Sequence, residues 1–146
     1  MRIISGNLKG KKLLISKDKH TRPLKDNVKE SIFNILQHSK LLNIDLLNSN
    51  VLDLFSGVGS FGLECISRGA NKVTFVENYK SILNILKRNI DSISIDGNYE
   101  IIEEDCFKVF ENEKFFKIKF DIIFIDPPYK EKKINFLLNK INKNNI

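Results

Sequence analysis

Two short sequences contain residue types that could bind and react with a small molecule. The first is Val51–Gly62 (VLDLFSGVGSFG), in which Gly57, Gly59 and Gly62 follow an apolar run. Glycines at this spacing permit positive φ angles and let a ligand approach the backbone closely. Glu77 ends the next apolar run twenty positions after Gly57, where its carboxylate can accept hydrogen bonds from ribose hydroxyls. The combination predicts a nucleoside-binding site.

Two further carboxylates bear on which nucleoside this is. Asp53 lies four positions before Gly57, where it would repel a pyrophosphate but attract the ammonium of an amino-acid-bearing nucleoside, directly or through water. Asp105 follows a third apolar run and can accept a hydrogen bond from an adenine amino group. With Glu77, these carboxylates fit the cationic S-adenosylmethionine better than a dinucleotide. A nicotinamide or flavin oxidoreductase is the alternative that uses the same glycine pattern.

The second sequence is Phe120–Tyr129 (FDIIFIDPPY), which ends in Asp126, Pro127, Pro128 and Tyr129. Reacting groups of open α/β sheets gather beyond the carboxyl ends of the strands, and two prolines would fix the backbone there. The Asp126 carboxylate and a neighbouring carbonyl can accept both N–H groups of an exocyclic base amine and align it with a methylsulfonium. Tyr129 can stack on a base that has left its own stack. These residues predict methyl transfer to a base amine.

The segments around the two motifs alternate between strand and helix patterns. Short apolar runs predict strands at 51–55, 72–77, 99–103 and 120–125. Helical spacing predicts helices after each strand, within 57–67, 82–93, 106–111 and 131–142. The alternation favours a parallel, doubly wound α/β sheet covered on both faces. Such a sheet would bring the glycine motif, the acidic residues and the proline motif to one edge.

An N-terminal extension, residues 1–42, precedes this predicted core at 43–146. Arg2–Ser5 and Lys11–Ser16 flank a glycine turn and predict a hairpin. A helix should follow to about Lys40, with Asp26 as its N-cap. Its predicted inner face consists of Val28, Ile32, Ile35 and Leu36. The extension is too small for a core of its own, so we expect it to pack on the rest.

The positive charge of the chain is concentrated in this extension. Residues 1–40 hold ten Lys/Arg and three Asp/Glu, whereas 41–146 hold fourteen and fifteen, so the net charge of +6 lies in the first quarter. A basic segment on a near-neutral body favours a polyanionic partner such as nucleic acid. Lys and Asn are abundant along the whole chain, so an ordinary solvated face is the alternative.

Composition narrows the class of protein further. The length of 146 residues is that of one domain, and no apolar run approaches the ~20 residues of a membrane-spanning helix. The N-terminus does not have the pattern of a signal peptide. Cys65 and Cys106 form no CxxC pair and are expected to be free buried thiols. Two isolated histidines do not predict a metal site, so we expect no metal. The free thiols and the lack of a signal-peptide pattern lead us to expect a cytoplasmic protein.

The motifs together resemble a known family. Asp53, Phe55, Gly57 and Gly59, with Glu77, Asp105 and the DPPY sequence, look like the motifs of class I S-adenosylmethionine-dependent methyltransferases. The N-terminal sequences RIISG, GKKL and TRPLKDNVKESIFNIL are similar to the RsmD family of bacterial 16S rRNA (guanine-N2)-methyltransferases. The resemblance covers nearly the whole chain. It implies methylation of one guanine amine in 16S rRNA, naked or in the assembling small subunit.

The resemblance also implies roles for individual residues. The cofactor residues would be Asp53, Phe55, Ser56, Gly57, Gly59, Glu77, Asp105 and Cys106. The target guanine would be held by Asp126, Pro127, Pro128 and Tyr129. Contacts with rRNA phosphates would come from Lys9, Lys11, Lys12, Arg22, Lys25 and Lys29.

The chain departs from the family pattern after the proline motif. Class I methyltransferases have seven strands, and only four core strands are predicted here before Ile146. The fourth strand is central in the family, so here it would be an exposed apolar edge, as in a partial chain or one that needs a partner. The other hypotheses are a DNA methyltransferase acting on exocyclic amines, and a cofactor- or RNA-binding remnant without activity.

Overall fold

The computed structural model describes residues 1–16, 24–39, 42, 44–93, 99–112, 115, 118–144 and 146. The elements in these ranges are α1 (Asp26–His38), β1 (Asn50–Leu54), α2 (Ser60–Ser67), β2 (Lys72–Val76), α3 (Lys80–Ile93), β3 (Tyr99–Ile102), β4 (Ile122–Ile125) and α4 (Ile134–Lys143). The helix predicted over 106–111 is a single 3-10 turn, Val109–Glu111. The predicted α/β alternation is confirmed.

The four strands form one parallel sheet in the order β3-β2-β1-β4. Leu54 at the end of β1 pairs with Val76 of β2 on one side and with Ile125 of β4 on the other. The chain order therefore reverses at β1, and ligands of open α/β sheets bind at such a switch point, beyond the carboxyl ends of the strands. The residues that follow these strands are those of the two motifs.

Apolar side chains cover both faces of the sheet, as expected for a doubly wound fold. One face packs under α2 and α3, with Val51, Phe75 and Leu86 in its core. The other face packs under the 3-10 turn and α4, with Leu52, Leu54, Phe110 and Leu137 in its core. Alternate residues of β1 thus enter different cores because strand side chains alternate between faces.

The N-terminal hairpin packs against α2 and the first of these cores. Its two arms are joined by Ile3 N–H to Lys11 O (2.9 Å) and Gly10 N–H to Ile3 O (2.9 Å). Buried Glu64 of α2 accepts hydrogen bonds from the backbone N–H groups of Ile4 (2.8 Å) and Ser5 (2.9 Å). These bonds, together with the bond from the Leu8 N–H to Ser67 Oγ (2.9 Å), fix the hairpin to α2.

The buried face of α1 differs from the predicted one. Val28 and Ile35 are exposed, whereas Lys29 and Phe33 are fully buried. Phe33 stacks on Phe61 of α2, with ring centroids 5.1 Å apart. Ile32 and Leu36, also of the predicted face, are half-buried and pack against the core, so the predicted face is confirmed in part. Asp26 is also not the N-cap, since that position is held by Lys25 and Asp26 lies in the first turn.

Helices α3 and α4 each bury one face. The buried residues of α3 are Ile82, Leu83, Leu86, Asn89, Ile90 and Ile93, and Ile85 is half-buried. In α4 Leu137 is buried and Leu138 is 47% exposed.

Strand β4 is an edge strand of the described sheet and pairs with β1 alone. The expectation of an apolar edge at β4 is therefore confirmed.

Candidate cofactor and substrate site

The loop after β1 forms the floor of the site and has three residues in the left-handed region. Phe55 has φ +58°, Gly57 +56° and Gly59 +84°. A Cβ at Gly57 would meet only the Phe55 carbonyl oxygen, at 4.0 Å, whereas a Cβ at Gly59 would collide with Leu86 of α3. Gly57 therefore leaves room above the loop, and Gly59 lets the loop pack on α3.

Glu77, directly after β2, holds this loop from the side. Its Oε2 accepts the N–H of Gly57 at 2.9 Å, and its Oε1 accepts the N–H groups of Asn78 (2.9 Å) and Tyr79 (3.0 Å). Each carboxylate oxygen has two lone pairs, so these three bonds leave one lone pair, on Oε2. Glu77 thus positions the glycine loop and can also accept one hydroxyl donor from a ligand.

Asp53 projects from β1 beneath the loop and is 1% exposed. Its Oδ2 accepts the N–H of Gly62 in α2 at 3.0 Å. Burial is the main cause that raises the pKa of Asp53 to about 8; the Gly62 hydrogen bond opposes it, and the negative charges of Asp126 and Glu77 contribute to it. The charges of Asp126 and Glu77 disfavour ionisation of Asp53, so a bound cation would stabilise the ionised form of Asp53.

Ser56 provides independent evidence for a ligand. Its hydroxyl is the one buried side-chain oxygen or nitrogen without a hydrogen-bond partner among the residues that the structure describes. A buried polar group without a partner costs free energy, and Ser56 lies in the glycine loop beside Gly57. The hydroxyl, the three carboxylates and the open space at Gly57 fit a cationic nucleoside such as S-adenosylmethionine.

The loop after β3 supports the site from beneath. Cys106 Sγ accepts the N–H of Phe55 at 3.2 Å, and burial raises the pKa of the thiol to about 12. Cys106 is therefore a neutral packing residue that holds the strained backbone of Phe55. Asp105 Oδ1 accepts the N–H of Phe107 at 2.8 Å, and the Phe107 ring meets Phe55 edge-on at 5.7 Å.

The proline motif follows β4, beside the glycine loop. Partial burial of its carboxyl group raises the pKa of Asp126, although the residue as a whole is exposed. Tyr129 is 85% exposed, and the Pro128 carbonyl accepts the N–H of Glu131 at 2.9 Å. Asp126 is next to Ile125, the partner of Leu54, so the start of the motif adjoins the start of the glycine loop.

The predicted RNA contacts divide into three groups. Lys9, Lys11, Lys12 and Lys25 are exposed on the N-terminal unit. Arg22 lies outside the described residues. For Lys29 the prediction was wrong: the side chain is 0% exposed, and its Nζ donates to Arg2 O (2.7 Å) and lies 3.3 Å from Glu64 Oε2.

Sequence reasoning missed Asn89 and Glu64, two buried polar residues that connect the hairpin to the core. Asn89 bonds to the backbones of Leu14 and Val58. The only sequence signal was a polar residue on an apolar helical face.

Among the described residues no group of three or more His, Cys, Asp or Glu could hold a metal ion. No helix in that part of the chain is long and apolar enough to cross a membrane.

Comparison with known proteins agrees with this geometry. The chain is 40% identical over 150 residues to ribosomal RNA small subunit methyltransferase D of Buchnera aphidicola, covering 99% of this chain and 74% of that protein. It is 37% identical over 133 residues to the protein of that name from Haemophilus influenzae, covering 88% and 64%. The chain thus spans about two thirds to three quarters of these relatives.

Solved structures share the fold. An Escherichia coli protein classed as a methyltransferase, yhhF, has a TM-score of 0.77 and 28% identity, covering 99% of this chain and 73% of that one. Another protein so classed, solved in complex with S-adenosylhomocysteine, has a TM-score of 0.58 and 25% identity, covering 73% and 31%. The fold and the site define a class I methyltransferase, a class whose cofactor is S-adenosylmethionine.

The family follows from the whole-length match. Residues 1–146 match the family described as Conserved hypothetical protein 95. Together with the two relatives above, this match shows that the chain belongs to the RsmD family of methyltransferases.

Proposed function

We propose that this chain methylates rRNA, and that the acceptor is the N2 amine of one guanine in 16S rRNA, naked or within the assembling small subunit. The observation that supports this most directly is the pairing of Leu54 with Ile125. Neighbouring strands are about 4.8 Å apart, so the glycine loop and Asp126 begin side by side. A methyl donor above the loop would then face an amine held by the proline motif.

The cofactor, when bound, supplies an electrophilic methyl group on a sulfonium. Ser56, Glu77 and Asp105 would hold its amino-acid, ribose and adenine parts, and Asp53 would stabilise the ammonium charge of the amino-acid part. The guanine would stack on Tyr129, with its amine donating to Asp126 and to a neighbouring backbone carbonyl. Because the pKa of Asp126 is raised, its carboxylate is a stronger proton acceptor and can take the proton that the amine loses.

The N-terminal extension would bind the rRNA backbone. Lys9, Lys11, Lys12 and Lys25 are exposed on it, and Arg22 belongs to the same basic segment. Phosphate contacts position a nucleic acid and make its affinity fall with salt. The names of the relatives, ribosomal RNA small subunit methyltransferase D, support rRNA as the substrate. A cytoplasmic location is part of the same proposal.

Product analysis tests the reaction and the base together. Residues 1–146 are incubated with methyl-labelled S-adenosylmethionine and small subunits that lack the modification, and the RNA is digested to nucleosides. Label in N2-methylguanosine is the expected result. Label in another nucleoside would refute the guanine assignment but keep the enzyme class. Bound cofactor without label would favour the remnant without activity.

A matched pair of aspartates tests the catalytic assignment. Asp126→Ala should lower methyl transfer by about 100-fold or more, the usual effect of losing a group that stabilises the transition state, and should leave cofactor affinity nearly unchanged. Asp121, at the opposite end of β4, accepts the N–H of Asn50 at 2.7 Å. Asp121→Ala is therefore the control and should retain activity. If Asp126→Ala stays active, the role given to Asp126 is wrong.

A further inference from the structure

Asn89 of α3 lies between two parts of the molecule that have separate tasks. Its side-chain amide grips both backbone groups of Leu14: Oδ1 accepts the N–H at 2.7 Å and Nδ2 donates to the carbonyl at 3.1 Å. The same Nδ2 donates to the carbonyl of Val58 at 2.9 Å. Asn89 is 0% exposed. One buried amide therefore joins the second arm of the hairpin to the glycine loop.

Each end of this bridge lies close to a binding surface of the proposed function. Leu14 is two residues from Lys12 and three from Lys11, both exposed. Val58 lies between Gly57, whose N–H is held by Glu77, and Gly59, whose N–H donates to Ser56 O at 2.9 Å. The position of the hairpin arm and the shape of the loop are thus determined partly by the same side chain.

We infer that Asn89 is a positioning residue that couples RNA binding at the hairpin to cofactor binding at the glycine loop. The inference rests on the proposed function, because it takes RNA as the ligand of the hairpin. RNA bound at Lys11 and Lys12 would restrict the motion of the hairpin arm. The hydrogen bonds of Asn89 would then restrict the motion of Val58 as well. A cofactor that binds an already ordered loop loses less conformational entropy, so the two ligands favour each other.

Lys29 also connects the N-terminal extension to the core, but it does so differently from Asn89. Lys29 Nζ reaches the side chain of Ser60 at 3.3 Å and Glu64 Oε2 at 3.3 Å, both in α2. These contacts fix the N-terminal unit to a helix, whereas Asn89 bonds to the backbone of the loop itself. Loss of the Lys29 contacts should therefore change stability, and loss of Asn89 should change the communication between sites.

The test measures the Kd of S-adenosylhomocysteine, which avoids turnover, with and without saturating unmodified 16S rRNA. The unaltered chain should bind the nucleoside about fivefold more tightly with RNA, the lower end of usual couplings. Asn89→Asp keeps the acceptor for Leu14 N–H but loses both donated bonds, and Asn89→Ala loses all three. Both variants should bind RNA and S-adenosylhomocysteine independently, with a ratio near one.

Ser49→Ala is the control for loss of a buried hydrogen bond. Ser49 Oγ donates to Leu46 O at 2.8 Å, just before β1 and away from the carboxyl ends of the strands. This variant should keep the fivefold ratio. If an Asn89 variant fails to fold, hydrogen exchange of the unaltered chain replaces it: RNA should slow exchange of the amides at 55–59.

The outcomes separate the two proposals. A ratio near one in the unaltered chain, an unchanged ratio in both Asn89 variants, or no RNA effect on exchange at 55–59 would overturn the coupling while RNA binding stands. No binding of RNA by the unaltered chain would refute the substrate in the proposed function and remove the coupling with it.

Discussion

The raised pKa of Asp53 predicts that cofactor binding strengthens as the pH rises. A cationic ligand prefers the ionised carboxylate, and the free protein holds a proton on Asp53 up to a pH of about 8. At pH 6 about 1% of the free protein would have Asp53 ionised, against half at pH 8. If binding requires ionisation, affinity should rise about 50-fold between these values.

Isothermal titration with S-adenosylhomocysteine, which retains the ammonium, measures this dependence. Asp53→Asn keeps an oxygen for the Gly62 N–H but cannot ionise, so its affinity should change little with pH. Other groups near Asp53 are Glu77 and Asp126, and Asp126 also has a raised pKa. The thiols of Cys65 and Cys106 stay neutral in this range because burial raises both pKa values.

Two results would refute this reasoning. A flat profile for the unaltered protein would mean that Asp53 does not change its charge on binding. An Asp53→Asn variant with the original slope would assign the titration to Asp126 or to another group. The stability of the free protein provides a second check. Because the pKa of Asp53 is higher in the folded state, the free energy of unfolding should fall as the pH rises toward about 8. Asp53→Asn, which cannot ionise, should not show this fall.

Four further predictions concern single side chains. Ser56→Ala should stabilise the free protein by about 1 kcal/mol, because it removes a buried hydroxyl without a partner, yet weaken S-adenosylhomocysteine binding; calorimetry measures both, and an unchanged Kd would exclude a ligand contact. Lys29→Met should lower the free energy of unfolding by about 3 kcal/mol or more, since it leaves buried Glu64 without this partner. Lys12→Ala should leave stability unchanged but weaken RNA binding and its salt dependence. If Lys29→Met and Lys12→Ala had equal effects in denaturation and RNA titrations, Lys29 would not be the buried structural residue that its contacts indicate. Cys106 should resist alkylation at pH 8, because its thiol has a pKa of about 12, and rapid labelling in the folded state would show an accessible thiolate.

The local patterns of the sequence predicted most of the fold. The apolar runs and helical periodicity predicted the four strands in order, and the glycines after β1 predicted the loop with positive φ at Gly57 and Gly59. Parallel topology then brought Asp53, Glu77 and Asp126 to one edge. These predictions succeeded because strand alternation and glycine conformation depend on short stretches of chain.

The buried polar contacts could not be predicted in the same way. The sequence predicts Lys29 as an exposed lysine of a basic segment. It gives no reason to expect a role for Asn89, a single polar residue on the apolar face of α3. Each is buried because its partners, Arg2 O and Glu64 for one and Leu14 and Val58 for the other, come from distant parts of the chain. A polar group enters a core only when such partners satisfy it.

The sequence by itself determined the class of fold, the glycine loop, the acidic residues and the proline motif, since each depends on residue type and local spacing. Only the tertiary structure decided which lysine faces solvent, which face of α1 is buried and how the hairpin joins the cofactor loop. The physical reason is that burial of a charge or an amide depends on atoms far away in sequence. For Lys29 those atoms include Glu64, thirty-five positions further along the chain.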